Sequence, residues 1–142
     1  MPHPPLDLLE AEKLWVPTGE RYDGITERYA ILNAGDLKFH LTTQDLLLTG
    51  ALRFAPARNP ESLILQQLTL LGAKSRIGFF PFFMYTVRTL ADKSRWSWGV
   101  PIAGTPHMVK YPPELFQSAE VEAMVKTHGW EHTLKTWKHT LL

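Results

Sequence analysis

The first third of the chain contains an alternating pattern of apolar and polar positions that predicts a β-hairpin. Residues 26–32 and 37–42 are rich in β-forming side chains, and residues 33–36 between them contain Asn and Gly, which accept positive φ angles. Pairing of the two strands would place their apolar and aromatic side chains next to each other on one face of this hairpin. The expected neighbours across the two strands are Tyr29 and Ile31 with Phe39 and Leu41.

A second hairpin is predicted in the middle of the chain. Residues 82–90 and 95–102 flank the short polar stretch 91–94, and Pro81 and Pro101 mark the strand limits because proline cannot donate to a central ladder. The side chains expected to face each other are Phe83, Tyr85 and Val87 on the first strand, and Trp96, Trp98 and Val100 on the second.

Residues 58–72 give the clearest helix prediction. Asn59 is a favourable N-cap, Pro60 suits the first turn, Glu61 complements the helix dipole, and Gly72 ends the helix. Apolar residues at helical spacing predict the face that packs on the core. That face contains Leu63, Ile64, Gln67, Leu68 and Leu71.

Three further segments have helical character. A short helix is predicted over residues 6–14, after Pro4 and Pro5, and residues 45–54 fit either a buried strand or a helical turn. Near the C-terminus, a helix is predicted over residues 114–128, with Gly129 as its end and a second helical piece over 130–142.

These elements predict an α+β fold of two β-hairpins packed with a central helix, plus a C-terminal helical extension. The one break in composition is the Gly- and Pro-rich stretch 104–113. We therefore expect an α+β core domain over residues 1–110 and a helical tail over 111–142. The tail has its own apolar side chains, so it packs either on the core or on another molecule.

Composition narrows the class of protein. The 142 residues are 44% apolar and 20% charged, which is typical of a globular domain, and the absence of Cys excludes disulfides and thiolate chemistry. The longest apolar run, counting Gly and Pro, has nine residues (77–85), far fewer than a membrane span needs, so we expect a soluble intracellular protein. Two Asn, four Gln and eleven Pro favour an origin in a hot habitat.

No sequence motif indicates a catalytic centre. Nucleophile elbows, phosphate-binding glycine loops and dinucleotide fingerprints are absent, so we expect neither an enzyme nor a cofactor. Residues 128–132 match the H-x-x-E-H pattern of one zinc-peptidase class, but Gly129 interrupts the helix that this chemistry needs. Surface histidines explain the pattern better, and no metal site is predicted.

The charge distribution is uneven, and it suggests one alternative function. Residues 1–52 carry eight acidic and four basic side chains, whereas residues 53–98 carry seven basic and two acidic ones. Within residues 74–98 the basic side chains alternate with aromatic rings, as in proteins that bind single-stranded nucleic acid by pairing with phosphates and stacking on bases. Internal charge complementarity and an aromatic β core are the simpler explanations.

Four Phe surround Pro81 within residues 79–83. Side chains alternate sides along a strand, so they cannot all face inward, and one or two are expected to be partly exposed. Exposed aromatic rings beside arginines are typical anchors of protein interfaces. The alternative is a fully buried, kinked strand beneath the C-terminal helix.

In length, lack of Cys and division into a compact core up to about Lys110 and a helical tail from Tyr111, the chain resembles the small inhibitors and antiterminators of bacterial RNA polymerase encoded by a bacteriophage of a thermophilic bacterium. This resemblance covers the whole chain and rests on overall form. It implies a transcription regulator that acts in the cytoplasm of the infected host. It also implies binding to the flap of the polymerase β subunit, displacement of σ region 4, inhibition of initiation and suppression of termination.

Candidate contact residues come from the physical character of the side chains. Apolar or aromatic side chains would anchor the partner, and arginines would form a charged rim. The candidate anchors are Phe79, Phe80, Phe82, Leu115, Phe116 and Trp130, and the candidate rim residues are Arg76, Arg88 and Arg95.

Overall fold

The structure is a computed structural model that describes residues 3–19, 21–26, 28–53, 59–81, 86–90 and 99–137. The chain divides into two compact units, one formed by Pro4–Phe80 and the other by Pro81–Leu142 together with Met1–His3. The predicted domain boundary after Lys110 stays a prediction.

The first unit is built on a two-stranded parallel sheet. Strands β1 (Leu14–Pro17) and β2 (Ile77–Phe80) pair in the register Leu14 to Ile77 and Pro17 to Phe80. The side chains of Leu14, Val16 and Pro17 in β1 and of Phe80 in β2 are buried, as expected for strands that pack on a core. The buried apolar cluster beside this sheet consists of Leu14, Val16, Ile25, Leu68 and Ala73.

Helix α3 (Pro60–Leu70) confirms the clearest sequence prediction. The side chain of Asn59 accepts a 2.8 Å hydrogen bond from the Ser62 backbone N–H, and the Ser62 hydroxyl accepts one from the Asn59 N–H. This reciprocal capping satisfies backbone donors that a helix N-terminus leaves without intrahelical partners. The predicted apolar face is also confirmed, since Leu63 and Leu68 are buried.

The first predicted hairpin is wrong. Residues 34–36 form a 3-10 turn that leads into helix α1 (Leu37–Leu41), and helix α2 (Thr43–Leu48) follows. Ile31 pairs instead with Trp15 of β1 in an isolated antiparallel bridge. The β-forming composition of residues 37–42 is outweighed by tertiary contacts of α1, since the Phe39 carbonyl accepts a hydrogen bond from α3 and the Phe39 ring packs on the core.

The structure of the first unit also tests two other local predictions. The helix expected over residues 6–14 is reduced to a 3-10 turn at Leu6–Leu8, because Leu14 begins β1 and pairs with β2. The ambiguous segment that starts at Asp45 is helical as far as Leu48, in α2.

The second unit contains a three-stranded antiparallel sheet. Strands β3 (Val87–Thr89) and β4 (Val100–Pro101) both pair with β5 (His107–Val109), in the order β3-β5-β4. The predicted direct pairing of residues 82–90 with 95–102 is therefore wrong for the strands described, because β5 lies between them. The predicted turn at 91–94 lies outside the described residues.

Helix α4 spans Pro112–Thr136 and is interrupted at Gly129, where φ is 77° and ψ is 169°. The predicted break at this glycine is confirmed, because a positive φ is readily adopted by a residue without a Cβ. With two small sheets and four α-helices among the described residues, of which α4 is the C-terminal one, the fold is α+β, as predicted.

Candidate partner-binding surface

The N-terminal part of α4 has one buried face and one exposed face. Val121 is fully buried and Ser118 nearly so. Three positions with apolar side chains, Phe116, Ala119 and Ala123, are exposed and lie at helical spacings of three and four residues. We refer to these three residues as the α4 surface.

Phe116 dominates the α4 surface. Its side chain is 71% exposed, the highest value among the large apolar side chains described in the second unit. Because Ala119 and Ala123 are small, they leave the ring accessible along the helix. An aromatic ring held open in this way on a regular helix is suited to fill a pocket on another protein.

Charged side chains border the α4 surface. Glu120 is exposed, and Lys126 forms an exposed ion pair with Glu122 at 2.6 Å. Such exposed pairs contribute little to stability, so their charges are available to orient an approaching partner. The arrangement is an apolar centre with a charged border.

The other two predicted anchors of the tail lie on the same helix but are less exposed. Leu115 and Trp130 are both half-buried, and Trp130 follows the break at Gly129. Sequence reasoning placed these three candidates in the helical tail, but it could not rank them by exposure, and their role as anchors stays a prediction.

The prediction that Phe80 is an exposed anchor is wrong. Its side chain has no exposed area, and its ring meets the Tyr29 ring edge-on with 6.3 Å between centroids. Phe79, the next residue along the strand, is half-buried beneath the Arg21 guanidinium, which lies 4.3 Å from the ring centroid. The alternation of β2 therefore places one ring in the core and the other at its edge. Phe82 lies outside the described residues.

Arg76 is engaged within its own unit. Its Nη1 and Nη2 atoms donate to the two carboxylate oxygens of Asp36 at 3.0 and 2.5 Å, and its Nε donates to the Glu12 carbonyl at 2.7 Å. The hydrogen bond from Arg76 holds the pKa of Asp36 below its ordinary value, and the same contact raises the pKa of Arg76. Each side-chain nitrogen of Arg76 thus has an internal acceptor.

The remaining predicted rim residues are Arg88 and Arg95. Arg88 is half-buried on β3, where it is in register with Met108 of β5. Arg95 lies outside the described residues. Whether either residue contacts a partner stays a prediction.

The burial of Phe80 and the internal hydrogen bonds of Arg76 also bear on the alternative function, which is the binding of single-stranded nucleic acid. That function needs rings open for base stacking and cations open for phosphates. Of the described residues in segment 74–98, Phe80 is closed to stacking and Arg76 is held by Asp36 and Glu12. These two side chains are therefore not open to that function, which otherwise stays a prediction.

Sequence reasoning missed a set of exposed leucines in the first unit. Leu37 and Leu41 lie four positions apart on α1 and are 47% and 72% exposed, and Leu48 at the end of α2 is 79% exposed. The sequence pattern predicts a strand over residues 37–42 and leaves residues 45–54 open between strand and helical turn, so it does not reveal these helical positions. The i, i+4 spacing of Leu37 and Leu41 was the available signal.

The histidines of the H-x-x-E-H pattern are neighbours, with 4.8 Å between the ring centroids of His128 and His132. Glu131 is paired with Lys135 at 2.7 Å, and this hydrogen bond lowers the pKa of the Glu131 carboxyl. In the part of the chain that the structure describes, no group of three His, Asp or Glu side chains is placed to hold a metal ion.

Comparisons with known proteins give no match: no family model, curated protein or solved structure is significantly similar to this chain. Within the described ranges, no helix combines the length and the apolar character that crossing a bilayer requires.

Proposed function

We propose that the chain is a regulator of bacterial RNA polymerase, encoded by a bacteriophage and acting in the cytoplasm of the infected, thermophilic host. Its overall form supports this proposal through the resemblance to phage inhibitors and antiterminators of the polymerase. The observation that carries the binding role is the 71% exposure of Phe116 on α4.

An exposed phenyl ring favours association because its transfer from water into a pocket is favourable. An aromatic side chain buries about 150–250 Å² when it is enclosed, and a few such anchors dominate the affinity of most interfaces. In the α4 surface the small side chains of Ala119 and Ala123 let a partner approach the helix closely. Glu120 and Lys126 then contribute orientation more than affinity.

The proposed mechanism is competition for one site on the polymerase. As the resemblance implies, σ region 4 is seated on the flap of the β subunit through an apolar contact. A competitor with an apolar anchor and a charged border, covering about 800 Å² on each partner, is adequate to displace it. Occupancy of the flap would block initiation at promoters with a −35 element, and the bound protein would suppress termination during elongation.

The test is binding of the purified chain to RNA polymerase core enzyme and to the isolated flap domain, measured by titration calorimetry. We expect binding to both, and at least a tenfold loss of affinity for Phe116→Ala, which corresponds to about 1.4 kcal/mol. Because Phe116 is exposed, this variant should retain the wild-type fold.

Leu48→Ala is the matched control, because Leu48 is as exposed as Phe116 but lies in the other unit. It should bind the polymerase with unchanged affinity. Failure of the wild-type chain to bind the polymerase would reject the proposed function. Wild-type affinity in Phe116→Ala would reject the α4 surface as the contact.

A further inference from the structure

Two exposed histidines lie on either side of the break in α4. His128 precedes Gly129 and His132 follows it, and the backbone at Gly129 is not helical, with φ 77° and ψ 169°. The two imidazole rings nevertheless lie close together, with centroids 4.8 Å apart and planes tilted by 42°. The two rings therefore lie close together although they belong to two helical pieces that are separated by the non-helical backbone at Gly129.

Hydrogen bonds within the second piece of α4 order the backbone around His132. The Thr133 hydroxyl donates to the Gly129 carbonyl at 2.8 Å, and the Trp137 N–H donates to the Thr133 carbonyl at 2.8 Å. Thr133 itself is fully buried. The residue beside His132 is therefore anchored by burial, whereas the His132 ring itself is exposed.

The carboxylate of Glu131, between the two histidines, is already paired with a lysine. The Glu131 carboxylate, which lies between the histidines in sequence, is turned to Lys135, with an N–O distance of 2.7 Å. Imidazole nitrogens are preferred ligands of the late first-row divalent ions Ni²⁺, Cu²⁺ and Zn²⁺. With metal–nitrogen bonds of about 2.1 Å, two nitrogens on one ion lie at most about 4.2 Å apart. The 4.8 Å between the ring centroids is compatible with two imidazoles that bind one ion through bonds of this length.

We propose that His128 and His132 form a two-imidazole chelate for a divalent late transition-metal ion, with water completing the coordination. Because one ligand lies on each side of Gly129, the bound ion would fix the direction of the last two turns of α4 relative to the first part. The site differs from a zinc-peptidase centre, since Glu131 is engaged elsewhere and two protein ligands leave it without a catalytic arrangement.

The test uses the full chain titrated with NiCl₂ and with ZnCl₂ by calorimetry, next to His128→Ala and His132→Ala. We expect one ion per chain and at least a tenfold loss of affinity in each single variant. Lys126→Ala is the control, because it removes an exposed side chain on the preceding turn and keeps both imidazoles. It should bind like the wild type.

A second measurement, amide hydrogen exchange over residues 130–136, tests whether the bound ion holds this part of α4 in a fixed direction. Metal should slow exchange there in the wild type and leave both histidine variants unchanged. Absence of binding, or wild-type affinity in both single variants, rejects the chelate. Binding without slower exchange rejects the proposed control of the helix direction.

Discussion

Arg76 and Asp36, which lie 40 positions apart in sequence, form a two-pronged ion pair that joins the turn before β2 to the turn before α1. The fork of the guanidinium matches the two carboxylate oxygens, a geometry that is stronger and more specific than a single contact. A third donor of the same side chain reaches the Glu12 carbonyl. One arginine thus ties together three segments of the first unit.

This ion pair predicts acid sensitivity. The pKa of Asp36 is below its ordinary value of 3.8 in the folded state, because the carboxylate accepts hydrogen bonds from Arg76. The unfolded chain therefore binds this proton at higher pH than the folded chain does. The contribution to stability is present above about pH 4 and is lost as the pH falls through the folded pKa. Melting temperatures between pH 7 and pH 2 should show this loss.

Asp36→Asn should lower the melting temperature at pH 7 and flatten its fall below pH 4. Glu131→Gln is the control, because the pKa of Glu131 is also lowered, but by an exposed pair with Lys135 that contributes little. Its acid profile should follow the wild type. An equally steep fall in Asp36→Asn would contradict the assignment.

Phe80→Ala and Phe116→Ala should differ sharply in stability. Phe80 is fully buried, so its truncation removes ring contacts and leaves a cavity, which costs about 3–5 kcal/mol in the free energy of unfolding. Phe116 is 71% exposed, and its truncation should change stability by no more than about 0.5 kcal/mol. Urea unfolding of both variants measures this difference, and similar costs would show that one exposure is misassigned.

These two residues also show that the exposure of an aromatic side chain could not be predicted from the sequence. Both are Phe with an apolar residue beside them in the sequence, and their opposite exposures depend on contacts with distant residues, such as the Tyr29 ring against Phe80. By contrast, the start of α3 at Asn59 and the break of α4 at Gly129 were predictable, because a cap and a positive φ are local requirements.

The sheets were less predictable for the same reason. The pairing of β1 with β2 is parallel and joins segments far apart in sequence, whereas a hairpin pattern detects only neighbouring strands. Strand β5 was missed because His107–Val109 lies within the Gly- and Pro-rich stretch that was interpreted as a boundary. In the candidate site, helical spacing indicated the tail, but exposure alone separated Phe116 from Leu115.

Gly24 should tolerate no larger side chain. A Cβ built on Gly24 would lie 2.1 Å from the backbone carbonyl carbon of Glu61 on α3, and the next residue, Ile25, donates its N–H to that carbonyl at 3.1 Å. Gly24→Ala must therefore push the loop away from the helix. We expect a loss of about 1–3 kcal/mol in the free energy of unfolding, which is typical of overpacking.

Gly35→Ala is the matched control for this substitution. Apart from Gly35 itself and its two chain neighbours, no described residue has a heavy atom within 4 Å of a Cβ built at this position. Reduced freedom of the unfolded chain should then leave stability unchanged or raise it by up to about 1 kcal/mol. Denaturant midpoints of the two variants make the comparison, and a neutral Gly24→Ala would contradict the observed packing of the loop on α3.

Gln67 should act as a buried polar link among three helices. Its side chain is fully buried on α3; its Nε2 donates to the Phe39 carbonyl of α1 at 2.6 Å, and its Oε1 accepts from the Thr43 hydroxyl of α2. Gln67→Leu keeps a similar volume but leaves both partners without this amide. Because unsatisfied polar groups away from water are costly, we expect a loss of about 1–3 kcal/mol in the free energy of unfolding.

Gln44→Leu on α2 is the control, since Gln44 is exposed and its loss should change the free energy of unfolding by no more than about 0.5 kcal/mol. Adding Thr43→Val to Gln67→Leu removes the hydroxyl that the first substitution leaves without its acceptor. The double variant should then be more stable than the sum of the two single losses predicts, by at least about 0.5 kcal/mol. Strictly additive losses in urea unfolding would mean that the hydroxyl and the amide do not depend on each other.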